Sequence, residues 1–436
     1  MNRREYPEYG VDWCSERLDN GLEVHVLEKP DFHQIYAMFS TRYGSMDTRF
    51  RLVGMNDYTD VPDGVAHFLE HKMFEEPDGD VFQQFAQLGA SANAFTTYDQ
   101  TSYLFSSTTH AFENMKVLVD FVQNPYFTEE NVAKEKGIIG EEIRMYDDTA
   151  DWRCYTELLR AMYHSHPVRL DIAGTVESIA KITPQLLYRC YETFYHPANM
   201  VLVVAGPVNS SRVVEAMAEN QAKKSFQPFP GIDRDFPREP VSVREKSVRH
   251  NLAVRQSRCL VGFKEKNLPT NGSDLLRQEL LTGVLLDSVF GRAGETFEKM
   301  VDDGLADSTF GWEYEVTRSY GHAILGGNSA HPEALATAIR QHAERVLESG
   351  VSNIDFERSR KKTLGRLLAS YDGLSALARD VTAYVLKGTH PFDALHVLQS
   401  ITVEEAFARA RELFDTEHMS ASYILPVHEQ AQPVMA

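Results

Sequence analysis

The sequence predicts an α+β protein made of two similar halves, and three observations carry that prediction. A proline-rich stretch divides the chain near its middle, separated blocks of residues recur at nearly one offset, and strand-like runs lie beside helix-like runs without strict alternation. A length of 436 residues suits two or three domains, and 43% apolar with 25% charged residues is ordinary for a globular protein.

The dividing stretch is QAKKSFQPFPGIDRDFPREP, from Gln221 to Pro240, with prolines at 228, 230, 237 and 240. Proline removes backbone donors and blocks helix, so a linker over 221–244 is expected between domains at 1–220 and 245–436. The recurrence appears twice. Phe82, Phe85, Gly89 and Phe95 share their spacing with Phe297, Met300, Gly304 and Phe310, and Ile182-Thr183 precedes Met200 as Ile401-Thr402 precedes Met419. Within the first half, Asp19-Asn20-Gly21 marks a hairpin turn, followed by alternating Leu22, Val24 and Val26. Apolar periodicity predicts helices over 65–74, 80–88, 110–123, 129–146 and 184–194. Strands are expected between 91 and 107 and over 200–204, and again over 419–425 in the second half.

Charge narrows the partners. Lys+Arg less Asp+Glu is 44 − 63 = −19, which repels nucleic acid and anionic membrane surfaces. The longest apolar run, Met200–Ala205, is far short of the ~20 residues a membrane helix needs. No apolar stretch follows the basic pair Arg3-Arg4, so no signal peptide is expected. Cys14, Cys154, Cys190 and Cys259 lie far apart, without a C-x-x-C pair, and read as reduced thiols of a cytoplasmic protein.

The chemistry concentrates in His67-Phe68-Leu69-Glu70-His71. On a helix His67 and His71 point the same way one turn apart, with Glu70 beside them, while Val65, Leu69 and Met73 form an apolar row able to anchor the helix. Two imidazoles at i and i+4 can share one metal ion in this H-x-x-E-H arrangement; the alternative is a solvated helix face. A catalytic zinc needs a third protein ligand. Glu142 and Glu135 sit two turns apart on one face of a later helix that Thr128 can cap, whereas Glu141, the competing ligand, points about 100° away.

The stretches GVAHFLEHKMFE (64–75) and EKGIIGEEI (135–143) together resemble the pitrilysin/insulysin family of insulinase-like zinc peptidases, the inverzincins, and its small bacterial two-domain subunits. That resemblance implies two homologous α/β-sandwich domains of the LuxS/processing-peptidase type forming a half-shell. It implies that His67, His71 and Glu142 bind Zn2+, that Glu70 is the general base, and that Glu135 supports catalysis from behind a ligand. Asn93 and Ala94, in an Asn-Ala-x-Thr segment, would lie on an edge strand to which a peptide substrate adds; the plainer reading gives Asn93 a turn role.

Aligning Phe290 with Phe74 places Gly283, Leu286 and Asp287 where His67, Glu70 and His71 stand, so the second domain is expected to bind no metal. The family's substrate-holding Arg and Tyr have candidates in Arg318 and Tyr320, but their spacing fits plain strand residues better. Gly291-Arg292-Ala293-Gly294 reads as a turn, and His164, His166 and His196 as structural histidines. The resulting expectation is a zinc-dependent metalloendopeptidase acting on peptides in a closed chamber, as a homodimer or as a heterodimer with a related subunit. The alternatives are a non-catalytic chamber-forming subunit and a peptide-binding module.

Overall fold

The structure is a computed structural model that describes residues 1–77 and 79–427. Its class is the expected mixture of helix and sheet, in two compact units. The first unit comprises Met1–Ile143, Leu170–Phe236 and Arg366–Phe392; the second comprises Arg144–Arg169, Pro237–Gly365 and the chain from Asp393 on. These units interleave, whereas the expected halves at 1–220 and 245–436 follow chain order. Helix Ala150–Met162 packs on the second unit's strands, and helix Leu374–Leu386 packs on the first unit's strands. Each sheet has two faces to cover, and these exchanged helices supply part of the cover.

In the first unit, seven strands lie in the order Asn2–Tyr6, Val11–Arg17, Glu23–Glu28, Met200–Gly206, Ile35–Thr41, Thr101–Ser107 and Ala90–Thr96. Only Glu23–Glu28 and Met200–Gly206 run parallel, with Val201 opposite Glu23. The strands MVLVVAG and IYAMFST are buried at every residue. Continuous apolar runs, rather than alternation, are what a sheet covered on both faces requires. The second unit's sheet repeats the last five positions of this order with Ser247–Leu252, Met419–Pro426, Arg258–Lys264, Gly321–Asn328 and Gly311–Val316. Again only the first pair is parallel. The recurring spacings thus have a topological counterpart, since Met200 and Met419 begin corresponding strands. Strands 11–17 and 23–28 form the hairpin expected around Asp19-Asn20-Gly21, and strand 2–6 adds to the sequence expectation.

The expected helices form as Val65–Lys72, Val81–Gln87, Ala111–Val122, Glu129–Asp147 and Pro184–Phe194. The first of these is aimed by the backbone before it. Gly64 has φ 88° and Gly174 has φ 77°, and a Cβ on Gly64 would overlap the Ala173 carbonyl. Only glycine tolerates both the left-handed conformation and that approach. From this start the helix buries Val65, Phe68, Leu69 and Met73 in the core of the first unit.

The proline-rich connector is tied at both ends. Ile232–Arg234 adds a strand beside Arg49–Leu52, and Arg51 Nε donates to Asp233 at 2.9 Å. Further on, in the second unit, the Glu239 carboxylate accepts the backbone N–H groups of His164, Ser165 and His166 at 2.7–2.8 Å and pairs with buried Lys264. Among the described residues no helix is long and apolar enough to cross a membrane.

Candidate metal centre

Two helices and one edge strand of the first unit build the site. Helix Glu129–Asp147 starts in a reciprocal cap, in which Asn131 N–H donates to Thr128 Oγ1 at 3.1 Å and Thr128 N–H donates to Asn131 Oδ1 at 2.9 Å. Buried Val132, Glu135, Ile139 and Ile143 form its inner face, which also carries Glu142, while Glu141 is exposed. On the facing helix the His67 and His71 rings lie 4.6 Å apart, one turn from each other.

His67, His71 and Glu142 each offer a ligand atom, and these atoms lie within 4.8 Å of one another. His67 Nε2 is 3.9 Å from one Glu142 oxygen and His71 Nε2 is 3.6 Å from the other. A tetrahedral zinc with bonds of about 2.0–2.2 Å holds its donors a little over 3 Å apart, so small side-chain movements suffice to close this set on an ion. His71 Nδ1–H donates to Glu135 Oε1 at 3.1 Å, which leaves Nε2 as the nitrogen for a metal. Glu135 is held in turn by Lys72, whose ammonium lies 3.5 Å from Oε2, is fully buried, and also pairs with Glu75.

The charges suit the donors. Burial, reinforced by the neighbouring His71, pushes the His67 imidazole down to about 3, so it is neutral and able to ligate at physiological pH. For His71, burial acts downward, but the Glu135 hydrogen bond and the Glu70 and Glu142 charges outweigh it and raise the ring's pKa. Burial acts upward on Glu135 and is outweighed by the His71 and Lys72 contacts, which hold the carboxylate below its ordinary range. Glu70 is raised by burial, against a smaller opposing effect of the Thr96 hydrogen bond. A carboxylate shifted upward in this way is better matched to proton transfer near neutrality.

Glu70, His71 and Glu135 line a cleft of about 670 Å³ together with Phe74, Phe82 and Asn93. Ala94 also lines it, in an edge strand that begins at Ala90, so Asn93 and Ala94 sit within the strand and not at a turn. Asn93 is exposed, and its Oδ1 accepts the Ala94 N–H at 2.8 Å. Among the described residues the strand pairs only with Thr101–Ser107 and ends the sheet.

The remaining residues singled out lie elsewhere. Tyr320 is buried in the second unit and its hydroxyl bonds Glu315; Arg318 is exposed beyond strand Gly311–Val316. Gly291 to Gly294 is a turn. His166 and His196 accept the backbone N–H groups of Val168 and Ala198, and His164 N–H donates to Glu239. Asp287 pairs with Lys362 at 2.6 Å, and among the described residues the only cluster of three metal-binding side chains is the one around His67. Lys72 was not expected at the site, and Thr96, the threonine of the Asn-Ala-x-Thr segment, was not expected to bond Glu70. Lys72 falls on the apolar row of Val65 and Leu69, a position where a lysine must be paired; the motif marks Thr96 but gives no local sign of its partner.

Residues 54–176 match the family described as Insulinase (Peptidase family M16), and residues 181–363 match the Peptidase M16 inactive domain. The chain is 43% identical over 422 residues, 97% of its length and 98% of the relative's, to the uncharacterized zinc protease YmfH of Bacillus subtilis. Its fold matches the crystal structure described as an M16-like peptidase from Alicyclobacillus acidocaldarius, with TM-score 0.93, 46% identity, and 97% and 100% of the two chains covered. The periplasmic protease PqqL of Escherichia coli shares the fold at TM-score 0.75 and 19% identity, with 99% of this chain matching 48% of that one.

Proposed function

Because the chain belongs to the insulinase family of peptidases, M16, we propose that it is a zinc-dependent metalloendopeptidase that hydrolyses peptides at the His67, His71 and Glu142 centre. The observation that carries the reading is the convergence of those three donors beside a buried carboxylate, Glu70, at the wall of an open cleft. Bound by these side chains, a zinc ion supplies Lewis acidity toward a water and a substrate carbonyl. Glu70 accepts a proton from the attacking water and returns it to the leaving nitrogen. Glu135 keeps the His71 ring in one tautomer and orientation. An extended peptide adds beside Asn93 and Ala94, where backbone pairing gives grip with little demand on sequence.

The chain acts as one half of a pair, a homodimer or a heterodimer with a related subunit, that closes a chamber around its peptide. In keeping with this, the chain matches 48% of the longer PqqL chain. We place the protein in the cytoplasm, in keeping with four free, buried cysteines. The non-catalytic reading is disfavoured by the intact assembly of ligands and base. Light scattering is expected to give about twice the chain mass, and the complex to cut a denatured protein or a quenched peptide while sparing the native form. Rapid cleavage of the native form by a strictly monomeric chain would contradict the chamber; no cleavage of any peptide by zinc-replete protein would contradict the activity.

A further inference from the structure

Glu70 is buried and works from a helix, yet its carboxylate is oriented by a residue on the sheet. Thr96 ends the edge strand Ala90–Thr96, and Ala90, Ala92 and Ala94 precede it at every second position, packed against the first unit's core. Side chains at this period share one face of a strand. Small side chains at these three positions leave room for helix Val65–Lys72 to lie close to the strand, and the next position on that face, Thr96, meets Glu70. Thr96 Oγ1 donates to Glu70 Oε2 at 2.6 Å.

The neighbouring hydroxyl supports the direction of that bond. Thr101 stands opposite Thr96 in register, with its Oγ1 3.4 Å away, and donates its own proton to the Tyr43 carbonyl at 2.9 Å. A hydroxyl has one proton, so Thr101 leaves Thr96 as the donor to the carboxylate. Thr96 makes the one hydrogen bond to the Glu70 carboxylate seen among the described residues. Oε1 is left without a protein donor, on a residue that lines the cleft.

On the reading of Glu70 as the general base, we propose that Thr96 is its positioning residue: the hydroxyl fixes Oε2, reserves Oε1 for the substrate side, and ties the base to the strand on which the peptide adds. Anchor and docking edge are then one element, with Ala94 and Asn93 two and three residues from Thr96. Displacing the strand displaces the base.

The test pairs Thr96→Val, which keeps the side-chain shape without the hydroxyl, with Thr96→Ser, which keeps the hydroxyl. Losing a hydrogen bond to a charged group is expected to lower kcat about 10- to 100-fold, with KM changed less than about twofold and zinc content unchanged; Thr96→Ser should recover kcat to within about threefold. Thr96→Val is also compared with its parent by thermal melting, alone and in a Glu70→Met background that lacks the acceptor. It is expected to lower the melting temperature by several degrees with Glu70 present and by less than about 1 °C in the background without the acceptor. Unchanged kcat in Thr96→Val, failure of Thr96→Ser to restore it, or equal melting shifts in both backgrounds would overturn the assignment. If wild type cuts no peptide, the peptidase reading fails, and the melting comparison alone decides whether Thr96 holds Glu70.

Discussion

Replacing Glu70 by Gln is expected to reduce peptide turnover by about 10²–10⁴-fold while fold and bound zinc persist. The two side chains have the same shape, and the amide retains an oxygen that can accept the Thr96 bond, so the 2.6 Å anchor survives. On the proposed reading, what disappears is the ability to take a proton from water and return it to the leaving nitrogen. Glu70 is buried, and it is not among the three metal-binding donors, so zinc content should not follow its loss. A quenched peptide assay under single-turnover conditions, with zinc measured on the same samples, separates the effects. A variant with a tenth of wild-type turnover would exclude Glu70 as the base.

The second large effect concerns stability. Glu239→Ala is expected to lower the melting temperature by on the order of 10 °C. Lys264 keeps 3% of its side chain exposed and Glu239 keeps 12%, so the pair is shielded from water. Removing the carboxylate leaves a buried ammonium whose other partners are the carbonyls of Met162, Pro240 and Ser242. It also strands the N–H groups of His164, Ser165 and His166. Breaking a buried pair from one side costs about 3–5 kcal/mol, and about 2–4 °C accompanies each kcal/mol in domains of this size. Glu239→Gln keeps an acceptor without the charge and should fall between. A calorimetric shift under about 2 °C for Glu239→Ala would contradict this role.

The proline pattern made the connector legible as extended chain, but not Glu239 as its clasp, because the N–H groups it accepts lie 73 to 75 residues earlier and Lys264 lies 25 residues later. Long-range pairing explains most of what stayed hidden. His67, His71, Glu135 and Glu142 could be placed because helical periodicity fixes which side chains share a face. Lys72 and Thr96 could not, since their roles depend on a second helix and on a strand 26 residues downstream of Glu70. The exchange of helices between the units was equally invisible. The apolar face of Ala150–Met162 says that the helix must be covered, and not which sheet covers it. Strand 2–6 was missed for a local reason: it is exposed at four of its five residues and shows no alternation.

The proposed function requires a single zinc site made by His67, His71 and Glu142, which elemental analysis of metal-replete protein can count. About one zinc per chain is expected, falling sharply in His71→Ala and in Glu142→Ala and unchanged in Glu141→Ala. Two zinc ions per chain, or loss of zinc with Glu141→Ala alone, would contradict it.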